Sequence, residues 1–224
     1  MAKPLLVIGN KNYSSWSLRP WLALRMAAID FDEARISLYL PGAKEQILRH
    51  SPAGKVPVLR DGERLVFESL AICEYAAELA PQARLWPADA GVRAHARSIS
   101  AEMHAGFGAL RAAMPMNVRE RGRRLATPPA ALVRDDVARI TAIFEACRAR
   151  HAAAGPFLFG AFTIADAMFA PVVSRFATYS VSLPPAAQAY ADAVLGLAPM
   201  QEWLRDGAAE SERIDAYESL FAPR

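Results

Sequence analysis

Three serines fall where a short apolar run hands over to a helical pattern. Leu5-Leu6-Val7-Ile8-Gly9 reads as a buried strand closed by glycine, and Leu18, Leu22, Met26 and Ile29 then recur at helical spacing. Between the two stands Tyr13-Ser14-Ser15-Trp16-Ser17-Leu18-Arg19. Pro20 is expected in the first helical turn, where backbone N–H groups have no intrahelical partner. A helix start offers those free N–H donors and the positive end of the helix dipole, so it favours an anion. A hydroxyl of Ser14, Ser15 or Ser17 could donate there to a bound thiolate, carboxylate or phosphate. Its plainer role is to cap the helix, and this stretch by itself leaves both open.

Two further stretches carry recognition chemistry. Val56-Pro57 precedes a strand; the residue before a proline is held extended, with backbone groups free on an edge to pair with an extended peptide. It reads equally as an ordinary edge proline. Phe67-Glu68-Ser69-Leu70 sets an acid and a hydroxyl where a hairpin ends and a helix begins. Glu68 can pair an ammonium while Ser69 and the helix N–H groups hold a carboxylate; a plain Ser69 cap is the alternative. His50 and His104 lack metal-ligand spacing, so no metal site is expected. There is no Gly-rich phosphate loop and no Cys-x-x-Cys.

The elements that must position these residues change character along the chain. Up to about residue 80 the order is β-α-β-α-β-β-α. A helix over 15–29 connects the strand at 5–9 to one at 33–38, which implies a parallel pair; Asp61-Gly62 turns an antiparallel hairpin. After a linker over Pro81 to Pro87 the pattern is helical throughout. Val92, Ala96, Ile99, Met103, Phe107, Leu110 and Met114 predict one long helix, and the next runs from Thr127-Pro128-Pro129 to about Ala153. Thr163-Ile164-Ala165-Asp166 forms a capping-box variant ahead of a helix with a possible kink at Pro171. Pro184-Pro185 and Pro199 open two more helices, and a tail with Tyr217, Leu220 and Phe221 is expected to pack against the rest.

With 224 residues, 53% of them hydrophobic, the chain suits one large domain or two small ones. A net charge of +3, with 26 basic residues spread along the chain, is too mild for a nucleic-acid binder. The densest basic group, Arg119, Arg121, Arg123 and Arg124, reads as a solvated helix end. Two distant cysteines, Cys73 and Cys147, form no disulfide framework and fit a reducing compartment. The N-terminal stretch lacks a secretory pattern and no apolar run is of membrane-spanning length, so a soluble, cytoplasmic protein without membrane contact is expected.

Together these motifs resemble the cytosolic glutathione S-transferases. Ser14-Ser15-Trp16-Ser17-Leu18-Arg19 with Ala23-Leu24 looks like the serine signature of the zeta class. Ser51-Pro52-Ala53-Gly54-Lys55-Val56-Pro57-Val58-Leu59 is similar to the family segment whose proline is cis. Glu68-Ser69-Leu70-Ala71-Ile72 matches its glutathione motif, and Thr163 to Asp166 its helical-domain capping box. The resemblance implies a thioredoxin-like α/β domain over 1–80 followed by an all-α helical bundle over 88–224. It implies glutathione as cosubstrate, without metal, and Ser14 as the hydroxyl that donates to its sulfur. Ser15, Lys55, Val56, Pro57, Glu68 and Ser69 would hold glutathione, and Trp16, His104 and Phe107 would wall a pocket for a hydrophobic electrophile. The implied activity is glutathione transfer; a glutathione-dependent isomerase or peroxidase, or a non-catalytic binder, shares the same residues. The family's pairing of subunits, with the long seam from Val92 to Met114, implies a homodimer. Trp16 and Trp21 stand where the zeta pattern has cysteine and a second arginine, which sets this chain apart on the acceptor side.

Overall fold

The computed structural model describes residues 3–222. Its α/β part is a four-stranded sheet in the order β2-β1-β3-β4, built from β1 (Leu5–Ile8), β2 (Asp32–Arg35), β3 (Val58–Asp61) and β4 (Arg64–Phe67). β1 and β2 are parallel, with Val7 opposite Ala34, and β3 runs antiparallel to both β1 and β4. Helices α1 (Ser15–Met26), α2 (Ala43–Leu48) and α3 (Ser69–Leu79) complete this part. The parallel pair and the hairpin are those expected from the sequence. β2 is shorter: the Ile36 N–H still donates to the Ile8 carbonyl at 2.8 Å, but the Leu38 N–H turns to the Asn10 side chain at 2.7 Å.

α1 is buried along nearly its whole length, with only Trp16, Arg25 and Met26 reaching the surface. It starts at Ser15, so Pro20 lies inside the helix rather than in its first turn. There its ring removes the N–H that would have met the Trp16 carbonyl.

The rest of the described chain is helical: α4 (Ala90–Ala105), α5 (Gly108–Ala113), α6 (Ala131–His151), α7 (Ile164–Thr178), α8 (Pro185–Leu195), α9 (Ala198–Ala209) and α10 (Asp215–Glu218). The single long helix expected over Val92 to Met114 is two helices. The break falls at Gly106, where a Cβ would come within 2.8 Å of the Glu102 carbonyl oxygen, and at Phe107, which adopts a left-handed φ of 61°. Arg111 closes the break from α5. Its guanidinium donates to the carbonyls of Gly106 (3.0 Å), His104 (3.2 Å) and Met103, groups left without partners at the end of α4. Ala96, Ile99, Met103, Phe107, Leu110 and Met114 are all buried in the chain's own core, so this seam is not a free surface.

That core is continuous between the two parts, joining Leu18, Trp21 and Leu22 of α1 to Met168, Val172 and Phe176 of α7. α7 is fixed at its start by the capping box. Asp166 is fully buried and accepts from the N–H of Thr163 (2.7 Å), the Thr163 hydroxyl (3.0 Å) and the N–H of Leu158 (3.0 Å). Burial pushes this carboxyl up to about 6 against those hydrogen bonds, which favour the ionised form. A folded-state value above the ordinary 3.8 means that the group's contribution to stability is complete below 3.8 and is lost as pH rises through 6. Asp166→Asn cannot titrate. The gap in melting temperature between wild type and this variant should therefore widen as pH is lowered from about 6 towards 3.8, in a calorimetric series across that range.

Candidate active site

A cavity of about 610 Å³ opens at the end of the sheet, between the α/β part and the start of the helical part. That is the size of an ordinary small-molecule site. Its lower walls come from Lys55, Val56 and Pro57 ahead of β3, from Phe67, Glu68 and Ser69 at the β4–α3 junction, and from Leu38 and Tyr39 after β2. Trp16 from α1, with His104 and Ala105 from α4, forms the opposite wall.

The polar groups converge from three places. Ser69 opens α3, and its hydroxyl is buried on the cavity wall with no hydrogen-bond partner among the described residues. The same is true of Ser51. Glu68 precedes α3 with a left-handed φ of 72° and half its side chain in solvent. Such a backbone costs a non-glycine residue about 1–3 kcal/mol, a cost met where surrounding structure fixes the residue for another purpose. The Glu68 carboxylate stands 3.7 Å from His104 Nε2. Burial, with help from the cations Arg19 and Arg111, pulls His104 below its ordinary value against the pull of Glu68. Val56-Pro57 is cis.

Ser14 and Ser15 stand just behind the wall that Trp16 forms, and neither lines the cavity. Neither caps α1 through its side chain. Ser14 Oγ donates to Ser17 Oγ at 2.7 Å, and Ser17 Oγ also accepts the Gly9 N–H at 3.1 Å. Ser15 Oγ accepts from Arg175 Nη2 at 3.1 Å; the same guanidinium donates to the Met114 carbonyl at 2.8 Å. Phe107, expected on the acceptor wall, is 7% exposed and absent from the cavity lining, because the break at Gly106 turns it into the core.

Three arginines surround this corner, and of them Arg111 alone feels a carboxylate, that of Asp136. Arg19 has no exposure, and none of its three guanidinium nitrogens finds an acceptor among the described residues. Desolvation, then Arg111 and Arg175, hold its pKa well below the usual range. What Arg19 has instead is Trp16: its Cζ lies 4.3 Å from the ring centroid, and that of Arg111 lies 4.6 Å away. His104 meets the same ring edge-on at 5.3 Å. An indole is the strongest of the aromatic side chains as a cation–π partner. The tryptophan in the serine signature is thus the electrostatic partner of two guanidiniums.

The sequence of the chain matches the family "Glutathione S-transferase, N-terminal domain" over residues 13–79 and "Glutathione S-transferase, C-terminal domain" over residues 93–206. The chain belongs to the glutathione S-transferase family. Among curated relatives, a probable maleylacetoacetate isomerase of Caenorhabditis elegans is 37% identical over 98 residues, 44% of this chain and 45% of that protein. A zeta-class glutathione S-transferase of Euphorbia esula is 35% identical over 89 residues, 39% of each chain. The chain thus spans less than half the length of these curated relatives. The fold is shared with a glutathione S-transferase of the Antarctic clam Laternula elliptica, at a TM-score of 0.70 and 24% identity over 94% of this chain and 96% of that one. It is shared also with a glutathione transferase homologue from Burkholderia gl BGR1, solved with bound glutathione, at a TM-score of 0.68 and 22% identity over 93% and 100%.

Of the residues expected to bind a ligand, Lys55, Val56, Pro57, Glu68, Ser69, Trp16 and His104 come together on one cavity. Sequence reasoning passed over Tyr39, Arg111 and Arg175. Arg175 had one available signal, as the sole cation of the otherwise apolar or small-residue α7. Removing the indole should expose its role. Trp16→Leu should lower stability by on the order of 2–4 kcal/mol, two desolvated cation–π contacts at up to about 2 kcal/mol each, and Trp16→Phe should retain part of it. Urea unfolding of the two variants measures both.

Proposed function

We propose that the chain binds glutathione in the 610 Å³ cavity and activates its thiol for transfer to a small hydrophobic electrophile. The observation that carries this is the unpartnered, buried Ser69 hydroxyl at the start of α3, with Glu68 beside it on the same wall. A helix N-terminus and a hydroxyl suit a carboxylate, and the Glu68 carboxylate suits an ammonium. The γ-glutamyl end of glutathione carries both groups. Ser51 and Lys55 add a second hydroxyl and a cation to the cavity, and Val56 offers its backbone. Acceptance of the electrophile falls to Trp16, His104 and Ala105. On this reading the domains are 1–80, which holds glutathione, and 88–224, which supplies part of the acceptor wall.

Glutathione brings the sulfur nucleophile, and a free thiol near pKa 8.5 is mostly protonated at neutral pH. The chain's task is to favour the thiolate. Rotating two hydroxyls turns the contacts at the start of α1 into a relay: Gly9 N–H donates to Ser17, Ser17 donates to Ser14, and the Ser14 proton is released for a sulfur. Each donor in such a chain polarises the next. Ser15 has a competing claim, since Arg175 occupies its acceptor side and leaves its proton free to donate.

A glutathione-dependent isomerase is the second reading. It is supported by the likeness to maleylacetoacetate isomerases among the curated relatives. Parallel assays with a panel of electrophiles and with maleylacetoacetate separate the two. A homodimer in the cytoplasm belongs to the same proposal. Leu65 and Phe67 on one face of β4, and Leu79 at the end of α3, are exposed apolar side chains suited to a subunit contact. Both free cysteines suit a reducing compartment.

Ser14→Ala should slow turnover far more than it weakens glutathione binding, and should move the pH–rate profile to higher pH by on the order of one unit per 1.4 kcal/mol of lost thiolate stabilisation. A shift confined to Ser15→Ala would assign the activating proton to Ser15. Glu68→Ala should weaken glutathione binding roughly ten- to a hundredfold, the loss of one charge-assisted contact, without unfolding the chain. Titration calorimetry beside a thermal melt tests both halves of that expectation.

A further inference from the structure

The segment after α9 does not trail away from the molecule. It crosses back over the α/β part, and its carboxylates meet the backbone of the loop between β1 and α1. Glu210 accepts the N–H of Lys11 at 2.7 Å through one oxygen and that of Asn12 at 3.0 Å through the other. Glu218 accepts the Tyr13 hydroxyl at 2.7 Å and the Asn117 amide at 3.1 Å, and the Ile214 N–H donates to that same Tyr13 oxygen at 3.2 Å. Tyr13 is buried and immediately precedes Ser14. The loop is therefore gripped at three consecutive residues from the side away from the cavity.

A second grip lies on the loop after β2. Glu212 accepts the Ser37 hydroxyl at 2.6 Å and Arg35 Nη1 at 2.8 Å. Those two contacts bring its carboxyl down to about 2. Tyr217 packs edge-on against Tyr13 at 5.7 Å and against Tyr39 at 6.2 Å, with the Tyr39 and Tyr217 hydroxyls 3.3 Å apart. Tyr39 lines the cavity, yet 65% of it is exposed and its φ is left-handed at 67°. The Asn10 side chain ties the two loops together through the Leu38 N–H.

We infer that residues 210–218 form a positioning strap for the glutathione pocket: Glu210 and Glu218 fix the loop that delivers Ser14 and Ser15, while Tyr217 holds Tyr39 on the rim. None of the three itself lines the cavity, so they act through the residues they hold. The inference rests on the glutathione reading for its activity readout and on geometry for the rest. Its two grips have different consequences. Loosening the Tyr13 grip lets the serines drift from the sulfur, and misplacement by about 1 Å is enough for a hundredfold loss of rate. Loosening Tyr39 opens the rim and acts on binding.

The test uses the full chain with point substitutions, because Phe221, stacked on Tyr179 at 5.3 Å, makes truncation a folding experiment. Glu218→Ala should cut kcat about tenfold or more with KM for glutathione little changed, and should raise the pKa of the pH–rate profile. Glu218→Gln, whose amide oxygen still accepts from Tyr13 and Asn117, should restore both. Tyr217→Ala should raise KM for glutathione more than it lowers kcat. Hydrogen exchange gives a readout that needs no ligand: Lys11 and Asn12 should lose protection in Glu210→Ala. Unchanged exchange at those amides overturns the strap. Loosened amides with kcat, KM and pH profile all unchanged overturn its positioning role. A wild type that binds no glutathione by calorimetry overturns the activity claim and the glutathione reading together, whatever the exchange shows.

Discussion

Helix α1 is buried on nearly every side and still presents Trp16, in its first turn, to the cavity. It lies between the sheet and α7, with Leu18, Trp21, Leu22 and Leu24 all inaccessible to solvent. A helix so enclosed cannot slide or rotate without opening the core, because interiors are packed as densely as organic crystals. The start of α1 is consequently a fixed point. The cavity, the serines and the three arginines are arranged around it.

The enclosure has an electrostatic cost, concentrated in Arg19. A fully buried guanidinium without a carboxylate or carbonyl acceptor is rare, since burying an unpaired charge is expensive. Trp16 offsets part of that cost from inside the same helix, and Arg111 stacks on the same ring from α5. Arg111 also holds the carbonyls at the end of α4, so one side chain couples the helix break at Gly106 to the wall of the cavity. The geometry of this wall thus depends on a contact between the two parts of the chain.

What was legible in the sequence was local. The period-two and helical patterns gave β1, α1, the Asp61-Gly62 hairpin and α3, because each is decided by residues within a turn or two. The Thr163–Asp166 box was legible for the same reason, with donor and acceptor three residues apart. The break at Gly106 was hidden because the apolar spacing continues through it: Phe107 and Leu110 remain core residues although the helix does not continue. Val56-Pro57, Glu68 and Ser69 were singled out by their own chemistry and Lys55 through resemblance, and the fold brings them onto one cavity. Tyr39, Arg111 and the contacts of residues 210–218 had no local signature. Glu210 and Lys11, Tyr39 and Tyr217, and Arg111 and the Trp16 ring lie far apart in the sequence, and only the closed fold makes them neighbours.

The two cysteines have a consequence of their own. Cys73 and Cys147 are both fully buried, and burial pushes their thiols up to about 12 and about 11. Reaction with peroxides and disulfides runs through the thiolate and needs access, and neither sulfur has either. The folded chain therefore offers no reactive thiol of its own among the described residues. Neither cysteine can form a mixed disulfide with glutathione disulfide, and oxidants of free thiols leave both untouched while the chain is folded.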